Sequence, residues 1–88
     1  MKYYAYVLYS PNTDRFYKGH CSDVSRRLAE HNAGKTKSIK AFIPWKLVYS
    51  EEFNSREEAI KREKYFKTAA GRRFLKKVII QDLGFMPE

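Results

Sequence analysis

The stretch Tyr3-Tyr4-Ala5-Tyr6-Val7-Leu8-Tyr9-Ser10-Pro11-Asn12-Thr13-Asp14-Arg15-Phe16-Tyr17-Lys18-Gly19 decides the fold. Tyr3–Tyr9 is rich in aromatic and β-branched residues and reads as a strand. Alternation puts Tyr4, Tyr6 and Leu8 on one face and Tyr3, Ala5, Val7 and Tyr9 on the other. Ser10-Pro11-Asn12-Thr13-Asp14 is a cluster of turn formers, and Arg15–Gly19 then reads as a second strand, so the two form a hairpin.

Beyond the hairpin, Ser22 or Asp23 caps a helix running to about Asn32, with Val24, Leu28 and His31 as its inward stripe. Ala33-Gly34 ends it. Lys35–Lys40 is basic, with Thr36 and Ser38 interleaved, and its pattern fits a helix as well as a loop. Pro44 breaks whatever precedes it, and Trp45–Tyr49 reads as a third strand. Ser55 with Glu58 matches a capping box and opens a helix to about Thr68. Gly71 interrupts, and Arg72–Ile80 reads as a last short helix with Phe74, Leu75 and Val78 inward. The order predicts an α+β fold, a three-stranded, mainly antiparallel sheet flanked by helices. It forms one domain over residues 1–82, followed by a fraying tail over 83–88.

Composition narrows the class of partner. The apolar fraction of 43% is ordinary for a packed domain, and the 16% of aromatics helps a small core. Eighteen basic against ten acidic residues give a net charge of +8, which favours a polyanionic partner. No long apolar run or polybasic tail points to a membrane. A single cysteine, Cys21, fits a reducing compartment, and Met1-Lys2 leads into an alternating aromatic strand rather than a signal peptide, so the expected location is cytoplasmic. His20, Cys21 and His31 lack the spacing of a structural zinc site.

Two charged residues sit on or beside apolar stripes. Glu63 lies between Ala59 and Phe66, where a carboxylate is costly unless it is paired with a cation or bound to a metal. Arg27 lies one turn before His31 and can aim a donor fork at phosphate, or pack its stem and extend its head into water. Tyr4, Tyr6 and Tyr17 concentrate phenols on the hairpin, as hydrogen-bond donors to phosphate or as plain strand packing. Gly19 allows close backbone approach, or is an ordinary turn glycine.

Taken together these residues resemble the GIY-YIG nuclease superfamily. Tyr4-Ala5-Tyr6, ten residues, then Tyr17-Lys18-Gly19 is similar to its paired GIY and YIG elements. Arg27 falls eight residues after Gly19, His31 a turn later, and Glu63 in a later helix, as the family's functional residues do. Tyr3 to about Lys77 resembles the small stand-alone bacterial members, the UPF0213 group, and more distantly the N-terminal nuclease domain of the repair protein UvrC. The chain departs from the pattern at Tyr4, Ala5 and Lys18, which stand where the motifs have Gly, Ile and Ile, and no Asn follows Asn54.

The resemblance implies a metal-dependent endonuclease acting on DNA, with structure-selective, repair-related cutting as its expected role. Its catalytic residues would be Tyr6, Tyr17, Arg27, His31 and Glu63, with Glu63 holding one Mg²⁺ or Mn²⁺. Tyr17 or His31 would take the proton of the attacking water. Lys18, Gly19, His20, Lys35 and Lys37 would contact nucleic acid. With no second domain in the sequence, a targeting protein is an expected partner. Two other readings fit the residues: a nucleic-acid-binding module on the same fold with little or no activity, and a basic protein-interaction domain in which Glu63 and Arg27 pair with each other or with neighbours.

Overall fold

The structure is a computed structural model that describes residues 1–82 and 84. Its elements run β1 (Tyr3–Ser10), β2 (Arg15–Cys21), α1 (Val24–Asn32), a 3₁₀ turn (Lys37–Phe42), β3 (Lys46–Phe53), α2 (Arg56–Phe66), α3 (Ala69–Lys76) and a π-helical continuation (Lys77–Asp82). The sheet is three-stranded and antiparallel, as the sequence predicts, and the structure places β1 in its centre, in the order β2-β1-β3. The tail expected at 83–88 lies, apart from Gly84, outside the described residues.

Both faces of β1 are buried. Ala5 and Val7 pack with Phe66, Leu75 and Ile79 under α2 and α3. Tyr6 and Leu8 pack with Ile39 and Trp45 under α1 and the 3₁₀ turn. The predicted alternation is therefore correct, but it separates two cores rather than a core from solvent. The basic run resolves in the same way: Ile39 points into the second core while Lys35, Lys37 and Lys40 stay exposed. Asn32 locks the two sides of this core by accepting from Trp45 N at 2.6 Å and donating to Trp45 O at 3.0 Å.

Two boundaries and one buried stripe differ from expectation. β3 runs past Tyr49 through Ser50-Glu51-Glu52 to Phe53, residues with little strand propensity, because each finds a ladder partner on β1 and their charged side chains project from an edge strand. Glu51 takes a bidentate pair from Arg62 at 2.7 and 3.2 Å, and that guanidinium also lies 4.7–5.2 Å from the ring centres of Tyr65, Phe66 and Phe74. The second break falls at Lys67-Thr68 rather than at Gly71: Thr68 caps α3 by accepting from Gly71 N at 3.0 Å, which places Gly71 inside the helix. The third concerns the last helix, where Leu75 and Ile79 are the buried positions and Phe74 and Val78 flank them half-buried. Among the described residues, no helix is long and apolar enough to cross a membrane.

Candidate active site

Tyr6 sits in mid-β1 directly opposite Gly19 of β2. Its ring lies across that glycine: a Cβ there would come within 2.5 Å of the Tyr6 hydroxyl oxygen. The room at Gly19, expected to admit a nucleic-acid backbone, is thus filled by Tyr6, and Gly19 itself is buried. Only a residue without Cβ lets the phenol cross the edge strand towards α1. There the Tyr6 hydroxyl meets Nε2 of His31 at 2.9 Å, and Nδ1 of His31 meets the Thr36 hydroxyl at 2.8 Å. Tyr17, two residues before Gly19 and on the same face of β2, sets its ring edge-on to His31 at 5.2 Å and beside Tyr6 at 6.3 Å. Four predicted residues therefore gather here, with Arg27 beside the Tyr6 hydroxyl. Tyr6 and His31 lie at the bottom, fully buried, and Tyr17 and Arg27 form the outer layer.

The proton positions follow from donor counting. A guanidinium only donates, so Arg27 offers the Tyr6 proton no acceptor, and that proton points to His31 Nε2. The imidazole proton is then on Nδ1 and is donated to Thr36 Oγ1. Burial raises the Tyr6 pKa well above that of a free phenol, against a smaller opposing pull from Arg27. Burial also lowers the His31 pKa, and the positive charge of Arg27 adds to this while Glu30 opposes it. His31 is neutral at neutral pH.

The folded His31 resists protonation while the unfolded chain titrates near the ordinary 6.5. The unfolded state then binds more protons below that pH, so stability is full above it and falls as pH drops towards the folded value. A urea midpoint measured between about pH 7.5 and 5.5 is expected to fall on the acid side. An NMR titration placing the His31 pKa above 6.5 would contradict the assignment.

Glu63 belongs to a second cluster. Phe16, Lys18 and His20 alternate with Tyr17 and Gly19, so they face α2 and α3 rather than α1. The Glu63 carboxylate, half-buried within its stripe as predicted, is paired at both oxygens: Oε1 with His20 Nδ1 at 2.6 Å, Oε2 with Lys67 Nζ at 2.7 Å. Burial pushes its pKa up, but the Lys67 and His20 contacts outweigh it and hold the carboxyl below its ordinary value. Glu63 is thus ionised. Arg27 instead pairs with Glu30 at 3.2 Å, so the two predicted residues do not pair with each other. Among the described residues, no hydrogen bond or ion pair joins Glu63 directly to the tyrosine cluster.

The two clusters meet at the unpaired edge of β2. His20 supplies the link, which its expected role as a simple nucleic-acid contact did not include. It holds Glu63 and also lines an open cleft of about 440 Å³ with Arg27, Arg26 and Arg56. Lys67 was missed as well, although its position four residues after Glu63 on the same helix was legible. Lys35 and Lys37 are exposed on either side of Thr36, with no ion-pair partner among the described residues. As a metal ligand Glu63 fits one specific kind of site. No three His, Cys, Asp or Glu side chains converge among the described residues, so a hard divalent ion there would take one carboxylate oxygen from the chain and its other ligands from water and phosphate. The exposed Lys67 ammonium would have to leave Oε2 to admit it.

Comparison with known proteins agrees with this constellation. The model of the GIY-YIG catalytic domain matches residues 2–77, and the chain belongs to that nuclease family. Within it, the relatives are UPF0213 proteins. One from Streptococcus agalactiae is 48% identical over 65 residues, 73% of each chain, and one from Limosilactobacillus reuteri is 44% identical over 69 residues, 75% of this chain and 71% of the other. The solution NMR structure of a UPF0213 protein from Bacillus halodurans superposes with a TM-score of 0.53 at 32% identity, covering 92% of this chain and 86% of that one.

Proposed function

We propose that this protein is a metal-dependent endonuclease that hydrolyses phosphodiester bonds in DNA, selecting its substrate by structure rather than by sequence. The observation that carries the reading is the cleft at the β2 edge, lined by Arg26, Arg27 and Arg56, with Asp23 and Glu30 among them, and by the histidine that holds the ionised Glu63. Arg27 and its neighbours clamp the non-bridging phosphate oxygens and support charge as it develops on them. Tyr17, the outer phenol, orients the attacking water. Neutral His31 has one free lone pair, at Nε2, and the Tyr6 hydroxyl occupies it, so a proton from the water would reach His31 only by relay through Tyr6. A Mg²⁺ or Mn²⁺ ion held by Glu63 would supply Lewis-acid stabilisation of the phosphate and its leaving oxygen. Lys18, Lys35 and Lys37 add phosphate contacts. With contacts confined to the backbone, a repair-type branched or nicked substrate, or a targeting protein, would supply the selectivity.

A second reading is favoured by one observation, the occupation of both Glu63 oxygens by His20 and Lys67: a nucleic-acid-binding module without activity. Incubation of supercoiled, nicked and branched DNA with Mg²⁺ or Mn²⁺ separates the two. Strand breaks that appear with the ion and vanish with a chelator are the expected result. Binding whose affinity falls steeply with salt but yields no breaks would leave only the module.

A further inference from the structure

A second concavity, about 320 Å³, opens on the face of the sheet away from Tyr6, between β2 and the last helix. Its volume sits at the small end of ligand pockets, which run from roughly 300 to 1,000 Å³. Its floor is apolar, made by Val7, Leu75 and Ile79, and the Phe16 ring stands at its side, 37% exposed. Its rim carries Lys18, Arg72 and Lys76. None of the three has a carboxylate partner among the described residues; the Arg72 guanidinium donates to the Lys67 carbonyl, at 2.8 Å. The one acid at the rim, Asp14, accepts the Tyr9 hydroxyl at 2.8 Å. Burial lowers the Lys18 pKa, and the nearby Arg72 and Lys67 charges lower it further, so these cations repel one another over a surface that hydrates poorly. An anion with a flat apolar body relieves both strains, and a bare anion relieves one.

Position says which anion. Phe16, Lys18 and His20 are alternate residues on one face of β2, so they stand in a row with steps of about 7 Å. His20 at one end holds Glu63. A sugar–phosphate strand drawn along this edge with one phosphate at Glu63 brings its next phosphate to Lys18 and its base to Phe16.

We propose that this cavity is a nucleotide subsite: the base lies against Phe16, Leu75 and Ile79, its phosphate rests on Lys18 and Arg72, and the nucleotide it takes is the one adjacent to the scissile phosphate. The placement beside the cut rests on the nuclease reading; the pocket's chemistry does not. The same chemistry is offered by a base unstacked from a strand and by a free mononucleotide.

The test is an NMR titration of the metal-free protein with dAMP, deoxyadenosine and inorganic phosphate. Shifts at Phe16, Leu75 and Ile79 are expected with dAMP, and dAMP is expected to bind at least about tenfold tighter than either fragment, as base–aromatic stacking adds to the ion contacts. Lys18→Gln and Arg72→Gln should each weaken dAMP severalfold and leave deoxyadenosine unchanged. Phosphate binding as tightly as dAMP, or shifts confined to the Arg27 cleft, overturns the proposal. Branched DNA carrying an abasic position next to the cut distinguishes the sources. Weaker binding supports the strand-borne base, and unchanged binding overturns the placement beside the cut and assigns the pocket to the free nucleotide. No cleavage enters the dAMP measurement, so an inactive protein that binds dAMP here would sink the endonuclease reading and leave the subsite standing.

Discussion

Replacing Glu63 by Gln is expected to lower DNA cleavage by about 10³-fold while leaving DNA affinity equal or higher. The amide keeps the shape and volume of the carboxylate but loses its charge. Among the described residues Glu63 is the one acid paired with His20 and Lys67, so its loss removes the anchor for a divalent ion and frees the Lys67 ammonium and the His20 ring at the edge where phosphate would run. More positive charge strengthens phosphate binding, so affinity and turnover move in opposite directions. A purely structural Glu63 predicts a different pair of results. Its partners are partly exposed, at 32% and 55%, so breaking the pairs would cost about 1 kcal/mol or less, cleavage would persist, and binding of Mn²⁺ would not change. The discriminating measurements are plasmid nicking with Mn²⁺ and calorimetric titration of Mn²⁺, each on both proteins. A Glu63→Gln protein that cuts as well as its parent would end the metal assignment.

Gly71→Ala is expected to destabilise the fold strongly. α3 begins only three residues after α2 ends, so its first turn presses against the last turn of α2. A Cβ on Gly71 would overlap the Tyr65 carbonyl oxygen and lie 2.6 Å from its carbonyl carbon and 2.8 Å from Phe66 Cα. All three are backbone atoms of a hydrogen-bonded corner, where the Tyr65 carbonyl also accepts the Thr68 amide and hydroxyl. Nothing there can rotate away. Alanine would add about 1 kcal/mol of helix propensity, but the forced separation of the helices outweighs it. The expected net loss is about 3 kcal/mol, a drop in Tm of roughly 12–24 °C for a domain this small. Thermal unfolding followed by circular dichroism checks this; a Tm within about 3 °C of the parent would show that the corner yields. Because Leu75 and Ile79 reach the core through this corner, the same change should also loosen the cavity beside Lys18.

Much of the site was legible because spacing along regular elements is short-range. Tyr6 and Tyr17 fall on one face of a hairpin, and the turn residues 10–14 bring them together whatever the rest of the chain does. Arg27 and His31 are one helical turn apart, so their joint orientation follows from the period. The carboxylate of Glu63 stood out because it lies within the stripe of Ala59 and Phe66, both buried. The depth of these groups was not legible. His31 lies on the inward stripe of its helix and Tyr6 reads equally as packing, but that both are sealed beneath Tyr17 and Arg27 follows only from the 3₁₀ turn and Trp45, which close over them from a distant part of the chain. Gly71 read as a helix breaker because its local propensity says so; a contact between two helices made it a helix residue instead.

The sequence by itself determined the hairpin, the three-stranded α+β class, the basic charge and the types of side chain available for phosphate chemistry. These depend on local propensity, alternation and composition. The tertiary structure decided who pairs with whom. Alternation along β2 sends Tyr17 and Gly19 to one side of the sheet and Lys18 and His20 to the other, and only the docking of α1 on the first side and α2 on the second tells which charge each will meet. That is why Glu63 answers to His20 and Lys67, Arg27 to Glu30 and Tyr6, and why the place where they can act together is the β2 edge, which no neighbouring strand covers.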